Sequence, residues 1–372
     1  MDGGHRPGLL LKAALPLALL LSLSGCAPAP PAVTAVAPPE HIYPTGVTVT
    51  TIARQGGQGR LAVGPDGSIY TAEIWQYRLF LITPEGAVSE FAGNGRGVVL
   101  DGPALEAGFS EPAGLAFDRA GNLYVADSGL DHPHGRCIRI VSPGGFVSTF
   151  AGVCDEEGRR DGPIPQARFV NPVNLAADPD GNLLVADCTG GTVRKIDLSS
   201  GTVETVAGSG EMGHRDGPAD QAQFTCPVAA VMDGQRNIYV ADGNWQWGGC
   251  SFTLRMITPD AAQVKTVAGS GEQGWRDGPA SQARLDCISD LAVDEAGNVY
   301  LAETNRGVIR RYSPDSQGGA VITLAGSGRM GDRDGPAAEA EFAGPLGLAL
   351  DGKGHLYVGD YSHHVRRITV PE

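Results

Sequence analysis

Four tryptophans stand in this 372-residue chain, at Trp75, Trp245, Trp247 and Trp275, and none lies in an apolar, strand-forming stretch. Tyr77 and Tyr361 occupy similar irregular segments. Rings carried on loops offer large contact area to a glycan or a protein partner, or else pack beneath the loops that carry them. Six carboxylates form a second set: Glu73, Asp127, Asp187, Asp242, Glu303 and Asp360 each end a short apolar phrase. A ring of such groups can hold a hard cation such as calcium. Alternatively, each accepts backbone N–H bonds at a strand end and fixes a turn. Six equal copies favour architecture, because a site needs only a few ligands. The pairs Arg160-Asp161, Arg215-Asp216, Arg276-Asp277 and Arg333-Asp334 are read in the same way, as loop-fixing groups. His132 and His134 have the spacing of a zinc chelate, and His363 and His364 are adjacent, but the chain has no Cys-x-x-Cys to support a zinc site. His214 stands where other copies have Trp275 or Asp332 and reads as a solvated loop residue.

A repeat must position these groups. The phrase Leu61 to Glu73 recurs as Leu115 to Asp127, Leu175 to Asp187, Ala230 to Asp242, Leu291 to Glu303 and Leu348 to Asp360. Each copy is a short apolar strand, a Gly-containing turn and a second β-rich strand, which is a hairpin signature. A third strand follows, as in Ile138-Arg139-Ile140 or Val365-Arg366-Arg367-Ile368, and then a fourth ending in Ala-Gly, as in Val147 to Gly152. Four antiparallel strands in about 54–61 residues make one propeller blade. The sixth copy has three strands before Glu372, while Val47 to Ala53 stands before the first copy and matches Val264 to Ala268. We expect this orphan strand to complete blade six. Residues 46–372 then form one all-β domain, a six-bladed β-propeller of four-stranded antiparallel blades with its edges covered by closure.

Strand direction sorts the loops. Turns between strands one and two, and between three and four, are short and share one face. The longer connections, from strand two to three and from strand four to the next blade, share the other, where the functional residues of a scaffold gather. Six cysteines fall on this long-loop face: Cys137, Cys188 and Cys250 after a second strand, Cys154 after a fourth, Cys226 and Cys287 just before a first. An even number in an exported chain reads as disulfides, with fifteen pairings open in principle. Position favours Cys188–Cys226 and Cys250–Cys287, each joining one blade to the start of the next, and leaves Cys137–Cys154 within blade two. The expected recognition residues, Trp75, Tyr77, Trp245, Trp247, Trp275 and Tyr361, make an arc on this face over blades four, five, six and one.

With these phrases the chain resembles the NHL-repeat family. That family's third-strand Asn-His-Arg-Ile pattern survives as His364-Val365-Arg366 and, loosely, as Asn305-Arg306, and a linking phrase Asp-Gly-Pro begins at Asp101, Asp161, Asp216, Asp277 and Asp334. The resemblance covers residues 46–372 and implies the propeller; it does not imply an activity. Six-bladed relatives include lactonases and lyases that hold a metal in the central channel with histidine or carboxylate ligands. Here the channel-side segments Leu115 to Phe117 and Leu348 to Leu350 are apolar, with Arg60, Asn174 and Asp290 at their entrances. Asn171, Asn174 and Asp290 are the groups that such a cation would have to use. No P-loop, nucleophile elbow or His-Glu-x-x-His is present.

The N-terminal segment reads as export apparatus. Arg6 and Lys12 precede an apolar run to Leu23, and Leu23-Ser24-Gly25-Cys26 resembles a bacterial lipobox. Residues 1–25 are therefore expected to be a lipoprotein signal peptide, with lipidation at Cys26. A Pro/Ala-rich tether would occupy residues 26–45. The formal charge is −14, and without Asp2, Arg6 and Lys12 the remaining chain carries 41 acidic against 26 basic groups. Such a surface repels phosphate backbones, so nucleic acid is not an expected partner. The resulting expectation is a monomeric, lipid-anchored binding or scaffold module of the cell envelope, periplasmic or on the cell surface. It would recognise a protein or glycan through its long-loop face, with no cofactor and no metal. The alternative is a metal-dependent lactonase-like or lyase-like enzyme.

Overall fold

The computed structural model describes residues 41, 43–129, 134–243 and 252–371. Six small antiparallel sheets follow one another along the chain. Their first strands are Leu61–Val63, Pro112–Phe117, Pro172–Ala177, Pro227–Met232, Ile288–Val293 and Pro345–Leu350. Blade two shows the pattern: Pro112–Phe117, Leu123–Asp127, Cys137–Val141 and Phe146–Ala151 pair in sequence order. The chain is a six-bladed β-propeller. Burial changes from the axis outwards. The second strand is buried along its whole length, as in Leu123–Asp127 and Leu183–Asp187, because neighbouring blades cover both of its faces. The fourth strand is nearer the outside and alternates, with Val203 and Ala207 buried while Glu204 and Thr205 are exposed. The core lies between blades: Ala126 and Ile138 of blade two share a cluster with Phe169, Leu183 and Val185 of the next.

The orphan strand closes the ring as expected. Thr48–Ala53 runs antiparallel to Val365–Thr369, with Val49 opposite Ile368, and the two ends of the propeller meet in one sheet. The chain also contacts the propeller before the expected boundary at residue 46, since Tyr43 donates its hydroxyl proton to Gly326 O at 2.9 Å.

One feature was not expected. In five of the six sheets the linking phrase contributes a short fifth strand on the outer edge. Gly162–Pro163, for example, pairs with Val203 and Thr202. Blade one has four strands only.

Behind each edge strand lies a buried arginine. Arg139, Arg194, Arg255, Arg310 and Arg366 come from the third strands and are fully buried. Arg194 gives two nitrogens to Asp161 at 3.1 and 2.5 Å and one to the carbonyl of Arg160 at 3.1 Å. Asp161 in turn accepts the N–H of Thr205 on the fourth strand. The repeated Asp of the linking phrase is therefore a loop-fixing group as expected. The neighbouring Arg takes part through its backbone carbonyl.

Candidate functional site

At the same position in each repeat stand Gly59, just before its axial strand, and Ala113, Val173, Val228, Ser289 and Leu346, each the second residue of its own. Propeller symmetry brings these six together around the axis as the floor of a cavity of about 410 Å³, which opens on the long-loop face. Its walls come from the loops that follow the second strands: Ile74 and Trp75, Ser128, Gly243, Thr304 and Asn305, and Tyr361. Trp75 and Tyr361 are the exposed aromatic groups of this lining, at 59% and 49%. Trp75 is presented by a single turn of 3-10 helix, Ile74–Gln76, which ends on Tyr77 in a left-handed conformation.

One residue further along each strand, the channel is closed. Asp290 accepts Arg60 Nη1 at 2.6 Å, Asn174 Nδ2 at 3.1 Å and the N–H of Leu348 at 2.9 Å. Arg60 Nη2 reaches the carbonyl of Val228 at 2.7 Å, and Asn174 Oδ1 accepts the N–H of Ala230. Blades one, three, four, five and six are thus tied across the axis. Glycine makes the approach possible. A Cβ on Gly114 would lie 2.5 Å from Asn174 Cα, and one on Gly347 would lie 2.6 Å from Arg60 Cα. Burial raises the Asp290 carboxyl above its usual range, and Arg60 and the Leu348 N–H pull it back only in part.

This arrangement does not fit a channel metal. Asn174 and Asp290 do meet, but a guanidinium already occupies the carboxylate, and a cation there would face a like charge. The side chain of Asn171 is buried nearby in sequence, and neither of its amide atoms is hydrogen-bonded. Among the described residues no group of three His, Cys, Asp or Glu side chains is placed to hold a metal ion.

The phrase-ending carboxylates are all buried and serve the architecture. They bind the segment entering the first strand of their own blade: Asp127 accepts the N–H groups of Ser110 and Glu111, and Asp187 those of Val170 and Asn171. The buried arginines supply countercharge, as Arg255 does for Asp242 at 2.9 Å and Arg310 for Glu303 at 2.8 Å. Burial nevertheless dominates at three of them. It raises the Asp187 carboxyl against the N–H groups of Asn171 and Val170 and the charge of Arg194. It pushes Asp127 up to about 6 against Arg139 and two N–H donors, and Glu303 up to about 8 against Arg310. The second oxygen of Glu303 has no hydrogen-bond partner. The folded protein therefore holds this proton more tightly than the unfolded chain does. The contribution of this group to stability is full on the acid side and is lost as pH rises from about 4.5 through about 8. In urea melts at pH 5, 6.5 and 8, the wild type is expected to lose stability over this range, and Glu303→Gln to show a flatter profile.

The expected recognition residues separate. Trp75 and Tyr361 line the cavity; Tyr77 and Trp275 do not. Tyr77 lies against Gly97. Trp275 is half-buried, stacks on His41 at 3.8 Å and donates to Thr323 Oγ1 at 2.8 Å. Trp245 and Trp247 lie outside the described residues, as do Cys250 and His132. Two disulfides are present as expected, Cys137–Cys154 and Cys188–Cys226. Cys287 is disulfide-bonded and lines the cavity; its expected partner, Cys250, is outside the described residues. His134 sits 2.9 Å from Asp155, His363 3.7 Å from Glu73 and His364 3.8 Å from Asp332, each a separate pair. His214, exposed as expected, lies 3.5 Å from Asp242. The cavity floor and the Arg60–Asp290 tie were missed as a unit, since each takes one residue from repeats far apart in the chain.

No family model matches the chain. It is similar to NHL repeat-containing protein 2 of Gallus gallus, at 28% identity over 291 residues, covering 70% of this chain and 38% of that protein. The chain spans less than half the length of this and other curated relatives it matches. Among solved structures it is similar to an auxiliary nutrient binding protein from Bacteroides ovatus, with a TM-score of 0.61 and 16% identity over 88% of this chain and 77% of that one. It is also similar to a gluconolactonase from Xanthomonas campestris, with a TM-score of 0.58 and 13% identity over 93% and 99% of the two chains. At these identities the structural likenesses show the fold.

Proposed function

Because the chain is an NHL-repeat β-propeller, we propose that it is a binding module whose ligand enters the axial cavity on the long-loop face. The observation that carries this reading is the construction of the cavity. All six blades contribute to one mostly apolar hollow, open on the long-loop face beside two exposed aromatic rings, while the axial carboxylate is neutralised by Arg60. The hollow falls within the size range of small-ligand pockets, about 300–1,000 Å³. A gluconolactonase and an auxiliary nutrient binding protein both share the fold. Binding is favoured over catalysis here because, among the described residues, both buried carboxylates at the cavity accept hydrogen bonds from protein donors: Asp290 from Arg60, Asn174 and the N–H of Leu348, and Glu111 from the Ser128 hydroxyl.

The test is a ligand screen by saturation-transfer NMR with neutral oligosaccharides, apolar small molecules and short peptides. Its control is the double variant Trp75→Ala, Tyr361→Ala. An aromatic anchor in a binding site typically contributes about 2 kcal/mol, so binding is expected to weaken by at least tenfold with the melting temperature nearly unchanged. A steep fall in melting temperature with binding intact would show that the rings are packing groups.

The disulfides mark an oxidising, extracytoplasmic setting. Among the described residues no helix is long and apolar enough to cross a membrane. We further propose that Leu23-Ser24-Gly25-Cys26 directs lipidation at Cys26 and tethers the propeller to the cell envelope. Cys26→Ser is expected to release the protein from the membrane fraction; retention together with an unlipidated N-terminal peptide by mass spectrometry would refute it.

A further inference from the structure

We propose that the axial cavity selects a neutral, lipophilic small molecule with few hydrogen-bonding groups. This rests on the binding reading above and narrows it. The floor holds four aliphatic residues, a glycine and a single hydroxyl, that of Ser289, which already donates to the carbonyl of Pro345 at 2.9 Å. Among the described residues, the deeper wall donors are spent in the same way. Thr304 gives its hydroxyl proton to Pro345 O at 2.8 Å, Ser128 gives its own to Glu111 at 3.0 Å, and Gln273 Nε2 is held by Asp286 at 2.9 Å. Arg60, at the bottom, commits both terminal nitrogens to Asp290 and Val228.

A glycan, one of the two partners expected from sequence, carries several hydroxyls, each needing a donor and acceptors once water is removed. The saturated lining offers them little, so a sugar in this hollow would lose hydration without replacement. An apolar group gives up nothing of that kind and gains from leaving water. Charge points the same way against anions: Glu111 is buried in the lining, and the chain carries a formal charge of −14. Among the described residues, Gln58, Asn305, the indole N–H of Trp75 and the hydroxyl of Tyr361 make up the rest of the polar lining, the last three at exposed positions. A single polar end of the ligand would face water there, beside Trp75 and Tyr361.

The experiment uses the mature chain and the neutral fluorescent probe N-phenyl-1-naphthylamine, with 1-decanol, decanoate and maltotriose as competitors. The probe is expected to bind with enhanced emission, to be displaced by decanol, to be displaced at least tenfold less well by decanoate, and to be unaffected by maltotriose. Leu346→Gln, on the floor, should weaken probe binding at least fivefold with an unchanged melting temperature. If that variant fails to fold, Trp75→Ala at the exposed rim should give a loss of the same sign. Binding of maltotriose without binding of the probe would overturn the lipophilic class and leave the binding reading standing. Equal competition by decanoate and decanol would overturn the selection for neutral ligands. Failure of every one of these compounds, and of the wider ligand screen, to bind would overturn both readings.

Discussion

A chain that begins at Arg54 is expected to aggregate, whereas one that begins at Gly46 folds and melts cooperatively. The difference is the strand Thr48–Ala53. It is the fourth strand of blade six, and it lies between Val365–Thr369 on one side and the edge pair Gly335–Pro336 on the other. Its removal exposes two rows of backbone groups at once, a sheet edge open to pairing with another molecule. It also removes Val47 and Val49, buried in one cluster with Phe342, Leu356 and Ile368. Burial of two valines contributes about 3–6 kcal/mol, a large part of the roughly 5–15 kcal/mol by which a domain is stable. Asp334 would lose the N–H and hydroxyl of Thr51 as well. Among the described residues, beginning at Gly46 removes the His41–Trp275 stack, the His41–Asp277 pair at 3.6 Å, the Tyr43 hydrogen bond and the packing of Tyr43 against the same cluster, contacts at the margin of the sheet whose loss leaves every strand paired. Size-exclusion chromatography and thermal melts of the two truncations check this. Equal melting temperatures would mean that the first strand does not hold the ring shut.

The repeat made most of this architecture legible. Six copies of one phrase fix the blade, and an orphan strand resembling the other fourth strands fixes the closure. What escaped has physical causes. A two-residue Gly-Pro strand has no periodicity to read, so the fifth strands appeared only as a linking phrase. Arginine is ordinarily a surface residue, so the residue type alone does not mark Arg139, Arg194, Arg255, Arg310 and Arg366 as buried. Their recurrence at one offset, as in Ile138-Arg139-Ile140, was the available signal. The tie between Arg60 and Asp290 spans 230 residues and depends on ring geometry that no local pattern encodes. The loop aromatics were visible as a set, but their surroundings were not. Trp75 and Trp275 both stand in irregular segments, yet one lines the axial cavity and the other stacks on His41 at the chain's own N-terminal approach.

Arg255→Met is expected to destabilise the propeller by about 3–5 kcal/mol. Arg255 is fully buried and uses its guanidinium in four directions: to Asp216 at 2.9 Å, to Asp242 at 2.9 Å, and to the carbonyls of Gln223 and Arg215 at 3.0 and 2.9 Å. The group also lies over the ring of Phe224, 4.9 Å from its centre. Methionine fills similar volume but leaves Asp242 buried without countercharge and two carbonyls without donors. Lysine would not rescue it, because a single ammonium cannot reach the four acceptors that the planar fork satisfies together. Blade one supplies the internal comparison. Phe80 stands in its third strand opposite Thr71, where blade four has Arg255 opposite Val240. No edge strand forms there, and Glu73 keeps the contact to the entering segment, accepting the N–H of Gln58, without a third-strand arginine beside it. Arginine, linking-phrase Asp and fifth strand are thus absent together, as expected if the arginine fastens the edge to the blade. The triple variant Arg255→Met, Asp242→Asn, Asp216→Asn removes the stranded charges and should recover part of the loss in urea unfolding. If Arg255→Met alone costs less than about 1 kcal/mol, well below the usual cost of breaking a buried pair, the arginine is not what holds the blade's outer edge.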